Sequence, residues 1–94
     1  MNGYKIYSLN EQSLTIEFGQ EISPAINDQV MALHHDLQKQ PFPGYIESVP
    51  AYTTLTVYYD LLKIYGLIKH TNQPVSGHVS DLLSERILLT DPIK

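Results

Sequence analysis

Histidines are the side chains most able to carry acid–base chemistry or bind a metal near neutral pH. The chain has four of them, at His34, His35, His70 and His78. Neighbouring residues on a helix point about 100° apart, so the tandem pair cannot face the same way. No His-x-x-x-His pair and no carboxylate at clear ligand spacing accompanies them. We therefore interpret the histidines as surface or helix-flank residues, and we expect no metal site.

Asp81 and Glu85 are the next candidates, because they lie one helical turn apart. As a catalytic pair they would need a cleft and a raised pKa, whereas two solvated charges on a helix need neither. The glycines are scattered, so they form no phosphate-binding loop, and no nucleophile elbow or dinucleotide fingerprint is present. The sequence therefore predicts no complete catalytic site within this chain.

Composition narrows the class of protein. A chain of 94 residues with 43% hydrophobic residues is sufficient for one domain with a modest core. A net charge of -4 with scattered lysines argues against a nucleic-acid partner, and cysteine is absent. Neither a secretory signal nor an apolar run of membrane-spanning length is visible. We expect a cytoplasmic protein with neither a nucleic-acid nor a membrane partner.

The residue pattern in the first half of the chain predicts two strands and a helix. These elements would position any functional residue there. Residues 4–9 and 14–18 alternate as strands do, and a polar break of hairpin length separates them. Ser23 and Pro24 form a strong helix start, and an apolar residue recurs at helical spacing as far as Leu37. Pro41 and Pro43 must end this helix near Gln40.

The second half predicts another hairpin and another helix. Residues 45–49 and 54–59 read as strands, and Pro50 belongs at a corner, a bulge or an edge. Residues 61–68 fit either a short helix or an irregular segment, whereas residues 75–89 fit an amphipathic helix. We predict an α+β, two-layer β-β-α-β-β-α sandwich, in which two helices cover one face of a four-stranded, mostly antiparallel sheet.

The opposite sheet face is predicted to be polar and rich in tyrosine, and to meet either water or a partner. Tyrosines are ordinary strand formers, and they are also amphipathic anchors at interfaces. The sequence leaves both interpretations open. The residues assigned to this face are Lys5, Tyr7, Thr15, Glu17, Thr54, Thr56 and Tyr58.

Four segments resemble those of one protein family. Residues 14–19 (LTIEFG) resemble its LxVEFG strand, and Ile26, Asn27 and Val30 match the start of its first helix. Residues 43–44 and 47–52 (PG and ESVPAY) are similar to its PG…E-x-VPAY signature, and residues 54–60 to the strand that follows. These matches are collinear. On them the chain is identified as a member of the family that contains KipI, the B subunit of 5-oxoprolinase and allophanate hydrolase subunit 1, whose shared region is a carboxyltransferase domain, subdomain C and D.

The resemblance implies how the chain, which we expect to be bacterial, would be used. Residues 1–90 would be a single KipI-like amino-terminal domain, and residues 91–94 the start of a linker to a cyclophilin-like domain. It implies no catalytic residue at any position here. The signature residues, which we also take as a possible interface, are Glu17, Phe18, Gly19, Glu47, Val49, Pro50, Ala51, Tyr52 and Tyr58.

Three functions are compatible with this resemblance. The first is an assembly or structural role in one subunit of an ATP-dependent 5-oxoprolinase complex, an amide or lactam hydrolase, with a cognate subunit 2 homologue and the cyclophilin-like domain as partners. The second is an antikinase module that inhibits a sensor histidine kinase. The third is a purely structural dimerisation domain. No cofactor is expected in this domain, and ATP would belong to the full complex.

Overall fold

A computed structural model describes residues 4–90 of the chain, so the linker predicted for residues 91–94 lies outside the described residues. The elements are β1 (Lys5–Asn10), β2 (Ser13–Glu17), α1 (Pro24–Lys39), β3 (Tyr45–Pro50), β4 (Thr54–Tyr59), α2 (Leu61–Ile68) and α3 (Val75–Thr90). The predicted fold class is confirmed. The helix over residues 61–68 is the first of the two options that the sequence left open.

The four strands form one sheet in the order β1-β2-β4-β3, and every neighbouring pair is antiparallel. The two hairpins are therefore joined through their second strands, with Leu14 opposite Val57 and Ile16 opposite Leu55. β1 and β3 lie at the edges, and each has a register irregularity. Pro50 lies on the edge strand β3, where a missing N–H can be tolerated.

The core lies between the sheet and the helices. Alternate residues of the two central strands point into it, as the period of a strand requires. α1, α2 and α3 each add an apolar stripe to the same cluster. Its buried members are Leu14, Ile16, Phe18, Val30, Leu33, Leu37, Phe42, Leu55, Val57, Tyr59, Ile64, Ile68, Val79, Leu83 and Ile87. The alternation that assigns Thr54, Thr56 and Tyr58 to the opposite face predicts that Leu55, Val57 and Tyr59 face inward, and their burial confirms this prediction.

α1 begins and ends where local chemistry dictates. The Ser23 hydroxyl accepts a hydrogen bond from the Ile26 N–H at 3.1 Å, and Pro24 occupies the first turn. The helix ends at Gln40, directly before Pro41. Gly44 then adopts a φ of +97°, a conformation that favours glycine, and a Cβ there would lie 2.5 Å from the Ile64 side chain. The return into β3 therefore depends on this glycine.

α2 and α3 complete the helical layer. The Asp60 carboxylate accepts from the Lys63 N–H at 3.0 Å and so caps α2. Arg86 of α3 donates to the Asp36 carboxylate of α1 at 2.8 Å, which links the two long helices at a partly buried position. Within residues 4–90, no helix is long and apolar enough to cross a membrane.

Candidate functional site

The signature segments meet at one end of the sheet, beside the start of α1. The Phe18 N–H donates to the Thr53 carbonyl at 3.0 Å, and the Ala51 N–H donates to the Thr54 carbonyl at 2.8 Å. The Asn27 side-chain amide donates to the Tyr52 carbonyl at 3.3 Å. Residues that are separated in the sequence therefore hold the turn after β3 in place. We name the end of β3 together with this turn, Val49–Pro50–Ala51–Tyr52, the VPAY corner.

Phe18 and Gly19 support this end of the sheet from inside. Phe18 is buried, and its ring centroid lies 6.4 Å from that of Tyr4. A Cβ at Gly19 would collide with the Ile26 side chain. A glycine therefore lets the chain after β2 approach α1 closely. Phe18 therefore contributes to packing, and Gly19, which is half-buried, contributes the close approach.

The VPAY corner itself presents apolar side chains to solvent. Val49 and Tyr52 are each 48% exposed, and Ala51 is also exposed. The hydrogen bonds described above tie the backbone of the corner to β4 and α1, and these side chains project from that tied backbone. An amphipathic, exposed tyrosine on such a turn is well suited to contact another protein. The interface predicted for the corner stays a prediction, and this geometry is compatible with it.

The open sheet face carries the remaining signature residues. Tyr58 is half-buried and pairs across the sheet with Ser13 on one side and exposed Glu47 on the other. Glu17 is half-buried at the end of β2. The hydroxyls of Thr15 and Thr56 lie 3.0 Å apart. Thr15 is almost fully buried, so this face is less open in its centre than the alternation alone indicated.

Three hydrogen-bonded side chains, whose contact the sequence did not predict, connect α1 with β3. His34 Nδ1 lies 2.7 Å from Ser48 Oγ, and the Tyr45 hydroxyl lies 2.8 Å from the same oxygen. Ser48 is only 8% exposed. Burial lowers the pKa of His34, and the nearby His35 lowers that pKa further. A neutral imidazole can accept a hydrogen bond from the Ser48 hydroxyl while the Tyr45 hydroxyl donates to Ser48.

A serine beside a neutral histidine is the beginning of a nucleophilic dyad. Here the Ser48 oxygen already has two partners and is nearly closed to solvent, so a substrate has little access to it. The contact instead anchors α1 on the edge strand. One signal was available in the sequence, because His34 follows Val30 by four residues and precedes Leu37 by three, at the flank of the buried stripe.

Three of the other sequence candidates, His78, Asp81 and Glu85, line one open cleft of about 450 Å³ beside α3, whereas His35 and His70 are exposed and lie outside this cleft. Asp81 accepts a hydrogen bond from the Gln73 amide at 2.9 Å, and both Asp81 and Glu85 are exposed. Within the part of the chain that the structure describes, no three histidine or carboxylate side chains are placed to hold a metal ion.

Comparisons with known proteins agree with this geometry. The family model for the carboxyltransferase domain, subdomain C and D, matches residues 4–88. The B subunit of 5-oxoprolinase from Bacillus subtilis (strain 168) is 42% identical over 74 residues, which are 79% of this chain and 30% of that protein. The chain therefore matches less than a third of the length of this curated relative.

Solved structures show the same fold. The amino-terminal domain of the histidine kinase inhibitor KipI from Bacillus subtilis superposes with a TM-score of 0.79 at 34% identity, covering 95% of this chain and 88% of that one. A conserved protein of Pyrococcus horikoshii gives a TM-score of 0.68 at 29% identity, covering 90% and 37% respectively. Together with the signature residues at the VPAY corner, these matches show that the chain belongs to the carboxyltransferase subdomain C and D family, as a counterpart of the KipI amino-terminal domain.

Proposed function

We propose that this chain acts as the amino-terminal domain of one component of an ATP-dependent 5-oxoprolinase complex, and that its role there is assembly rather than chemistry. The observation that supports the activity is the 42% identity with the 5-oxoprolinase B subunit over 74 residues. Support for the assembly role comes from the site itself. The VPAY corner is exposed and is tied to β4 and α1 by hydrogen bonds, whereas the His34–Ser48 contact is nearly closed to solvent.

The proposed partners follow from the same relationship. A cyclophilin-like domain in the full-length protein and a cognate subunit 2 homologue would meet this domain, and the VPAY corner is the contact that we propose. ATP would bind elsewhere in the complex. The complex would work in the cytoplasm.

The test of the activity is an assay of the full-length protein together with its cognate subunits. We expect glutamate to form from 5-oxoproline only when ATP is present. An assembled complex that forms no glutamate under these conditions would rule out the proposed activity.

The test of the contact is Tyr52→Ala in the full-length protein. Because this side chain is about half exposed, its removal should leave the fold intact and weaken complex formation. Leu88→Ala, which removes an exposed large side chain from α3, is the control and should assemble normally. Normal assembly and activity of Tyr52→Ala would exclude the corner as the contact.

A second candidate function is inhibition of a sensor histidine kinase. The specific observation in its favour is the structural match to the KipI amino-terminal domain, which covers 88% of that domain. The direct measurement is autophosphorylation of a purified kinase in the presence of saturating protein. Inhibition should be visible as a slower rate, and an unchanged rate would exclude this candidate for the kinase tested.

A further inference from the structure

The outward side of α2 exposes large apolar side chains that no contact within the described residues explains. Ile64 and Ile68 are buried in the core, and they fix which side of the helix faces inward. On the other side Leu62 is 78% exposed, Tyr65 is 55% exposed and Leu67 is 49% exposed. A helix that is apolar on all sides is normally covered on all sides. Large exposed apolar groups gathered on two turns therefore indicate a binding surface.

Gly66 is a second, independent indication. Its φ is not in the left-handed region, and nothing lies within 4 Å of where a Cβ would be. A glycine inside a helix is less favourable than alanine, and the domain's own packing offers no compensation, because an alanine would fit freely. At about 100° per residue, Gly66 lies in the middle of the exposed arc, between Leu62 and Tyr65 on one side and Leu67 on the other.

The consequence is a position without a side chain in the centre of an apolar patch, and we call this gap between side chains the depression. A missing side chain at such a point allows another backbone or a small side chain to approach closely. This patch lies on an element that the proposed VPAY contact does not use. We name it the α2 surface, and its residues are Leu62, Lys63, Tyr65, Gly66, Leu67 and Lys69.

The charge around the depression indicates what kind of partner fits. Residues 61–70 contain Lys63 and Lys69 and no aspartate or glutamate, although the whole chain has a net charge of -4. Both lysines are exposed. The preceding carboxylate, Asp60, caps the helix through its contact with the Lys63 N–H, so its negative charge lies at the start of α2 and the two lysines outnumber it. The α2 surface is therefore a locally basic patch on an acidic protein.

We propose that the α2 surface docks an amphipathic helical segment of another protein, whose apolar stripe fills the depression at Gly66 and whose acidic flanks meet Lys63 and Lys69. The inference does not rest on the proposed function, since it follows from exposure, packing and charge alone. Docking of an amphipathic helix on an apolar groove is a common recognition mode, and flanking charges add specificity.

Two other occupants fit less well. In a symmetric pair of copies the same patch would meet itself, which would bring the lysines of both copies together. An anionic membrane would attract the two lysines, but an extended negative surface would repel the acidic remainder of the domain. A local acidic segment within about 10 Å of the lysines feels mainly the patch, because salt screens more distant charges.

The experiment uses the 94-residue chain, isotopically labelled, and synthetic peptides that share one amphipathic helical pattern of leucine and alanine. Three peptides differ only at the flanking positions, which are glutamate, glutamine or lysine. Amide chemical shifts report both the site and the affinity. We expect perturbations centred on residues 61–69, and binding of the glutamate peptide about tenfold tighter than that of the lysine peptide.

Three variants separate docking from folding. Leu62→Ala removes an exposed side chain and should weaken peptide binding severalfold while leaving the melting temperature unchanged. Gly66→Ala fills the depression, so it should weaken binding while it raises the melting temperature. Leu88→Ala removes a similarly exposed leucine from α3 and should change neither.

Several results would overturn the proposal. Equal affinity for the glutamate and lysine peptides would show that the partner need not be acidic. Tighter peptide binding by Gly66→Ala would show that the partner does not enter the depression at Gly66. Shifts centred away from α2 would place the site elsewhere. Binding to phosphatidylglycerol vesicles without binding to any peptide would show that the occupant is a membrane, and a concentration-dependent dimer with shifts on α2 would show that it is a second copy.

Discussion

Helices α1 and α2 each follow a β-hairpin and begin at a side-chain cap, yet they relate to the rest of the domain differently. In α1 the buried positions Val30, Leu33 and Leu37 form one stripe, and polar residues occupy most of the remaining surface. In α2 apolar side chains occupy both the buried and the exposed sides. Contacts within the chain explain the composition of α1, whereas no contact within the described residues accounts for the exposed apolar side chains of α2.

The glycines in and around the two helices show the same contrast. Gly44 is required by its positive φ, and Gly19 allows a close approach to the Ile26 side chain; these two glycines flank α1. Gly66 within α2 has neither reason. A residue that lowers helix stability without any internal benefit is a sign that function selected it. Substitutions in the two helices should therefore separate stability from binding.

The largest expected effect is that of Leu33→Ala in α1. This side chain is completely buried, so its loss should lower the free energy of unfolding by about 2–5 kcal/mol through lost burial and an unfilled cavity. Leu62→Ala in α2 should change the same quantity by less than about 0.5 kcal/mol. Urea unfolding of both variants measures the difference, and similar losses would show that the outward side of α2 is buried in solution.

The caps should show an intermediate effect. Ser23→Ala and Asp60→Ala each remove an acceptor for a backbone N–H, at a cost of about 1 kcal/mol. Because α1 covers the core, loss of its cap should lower protection from hydrogen exchange throughout the domain. Loss of the Asp60 cap should lower protection mainly within residues 61–68. Equal and global loss in both variants would contradict the contrast between the helices.

Gly66→Ala should act in the opposite direction. An alanine fits at this position and favours the helix, so the free energy of unfolding should rise by about 0.5–1 kcal/mol. Thermal unfolding measures this directly. Gly44→Ala provides the contrast, because a side chain there would meet Ile64 and adopt an unfavourable φ. A fall in stability for Gly66→Ala would show that the helix needs this glycine internally.

The smallest effect concerns the pH dependence of α1. Because burial lowers the pKa of His34 below 6.5, the unfolded chain binds a proton more readily than the folded one, and stability falls as the pH drops below about 6.5. His34→Gln should flatten this part of the stability curve. His35→Gln should retain most of the slope, because burial of His34 is the larger cause. A curve for His34→Gln as steep as that of the wild type would exclude His34 as the titrating group.

Much of the fold could be predicted because its signals are local. The alternation in residues 54–59 defines β4 at the bounds observed, and Ser23, Pro24 and Pro41 define the ends of α1. The ambiguous segment 61–68 is different. Gly66 argued against a helix there, and the helix forms because Ile64 and Ile68 are buried and Asp60 caps its first turn. Tertiary packing can override a weak local preference.

The candidate site was predicted less completely. Signature residues identified the VPAY corner, but the contact between His34 and Ser48 joins residues fourteen positions apart on different elements. No local spacing encodes such a contact. The burial of Thr15 on the polar sheet face was likewise not expected. Alternation assigns a residue to one face of the sheet, but it does not show how far the neighbouring side chains cover that residue.

By itself, the sequence determined the elements other than α2, most of the inward residues of the strands and of the two long helices, and the family, since these depend on periodicity, caps and short motifs within each segment. Only the tertiary structure decided the strand order β1-β2-β4-β3, the hydrogen bonds that hold the VPAY corner, and which side of α2 is left uncovered. The physical reason is that burial is a property of the assembled core. The apolar composition of α2 is local, but the exposure of its outer side depends on what the other elements cover.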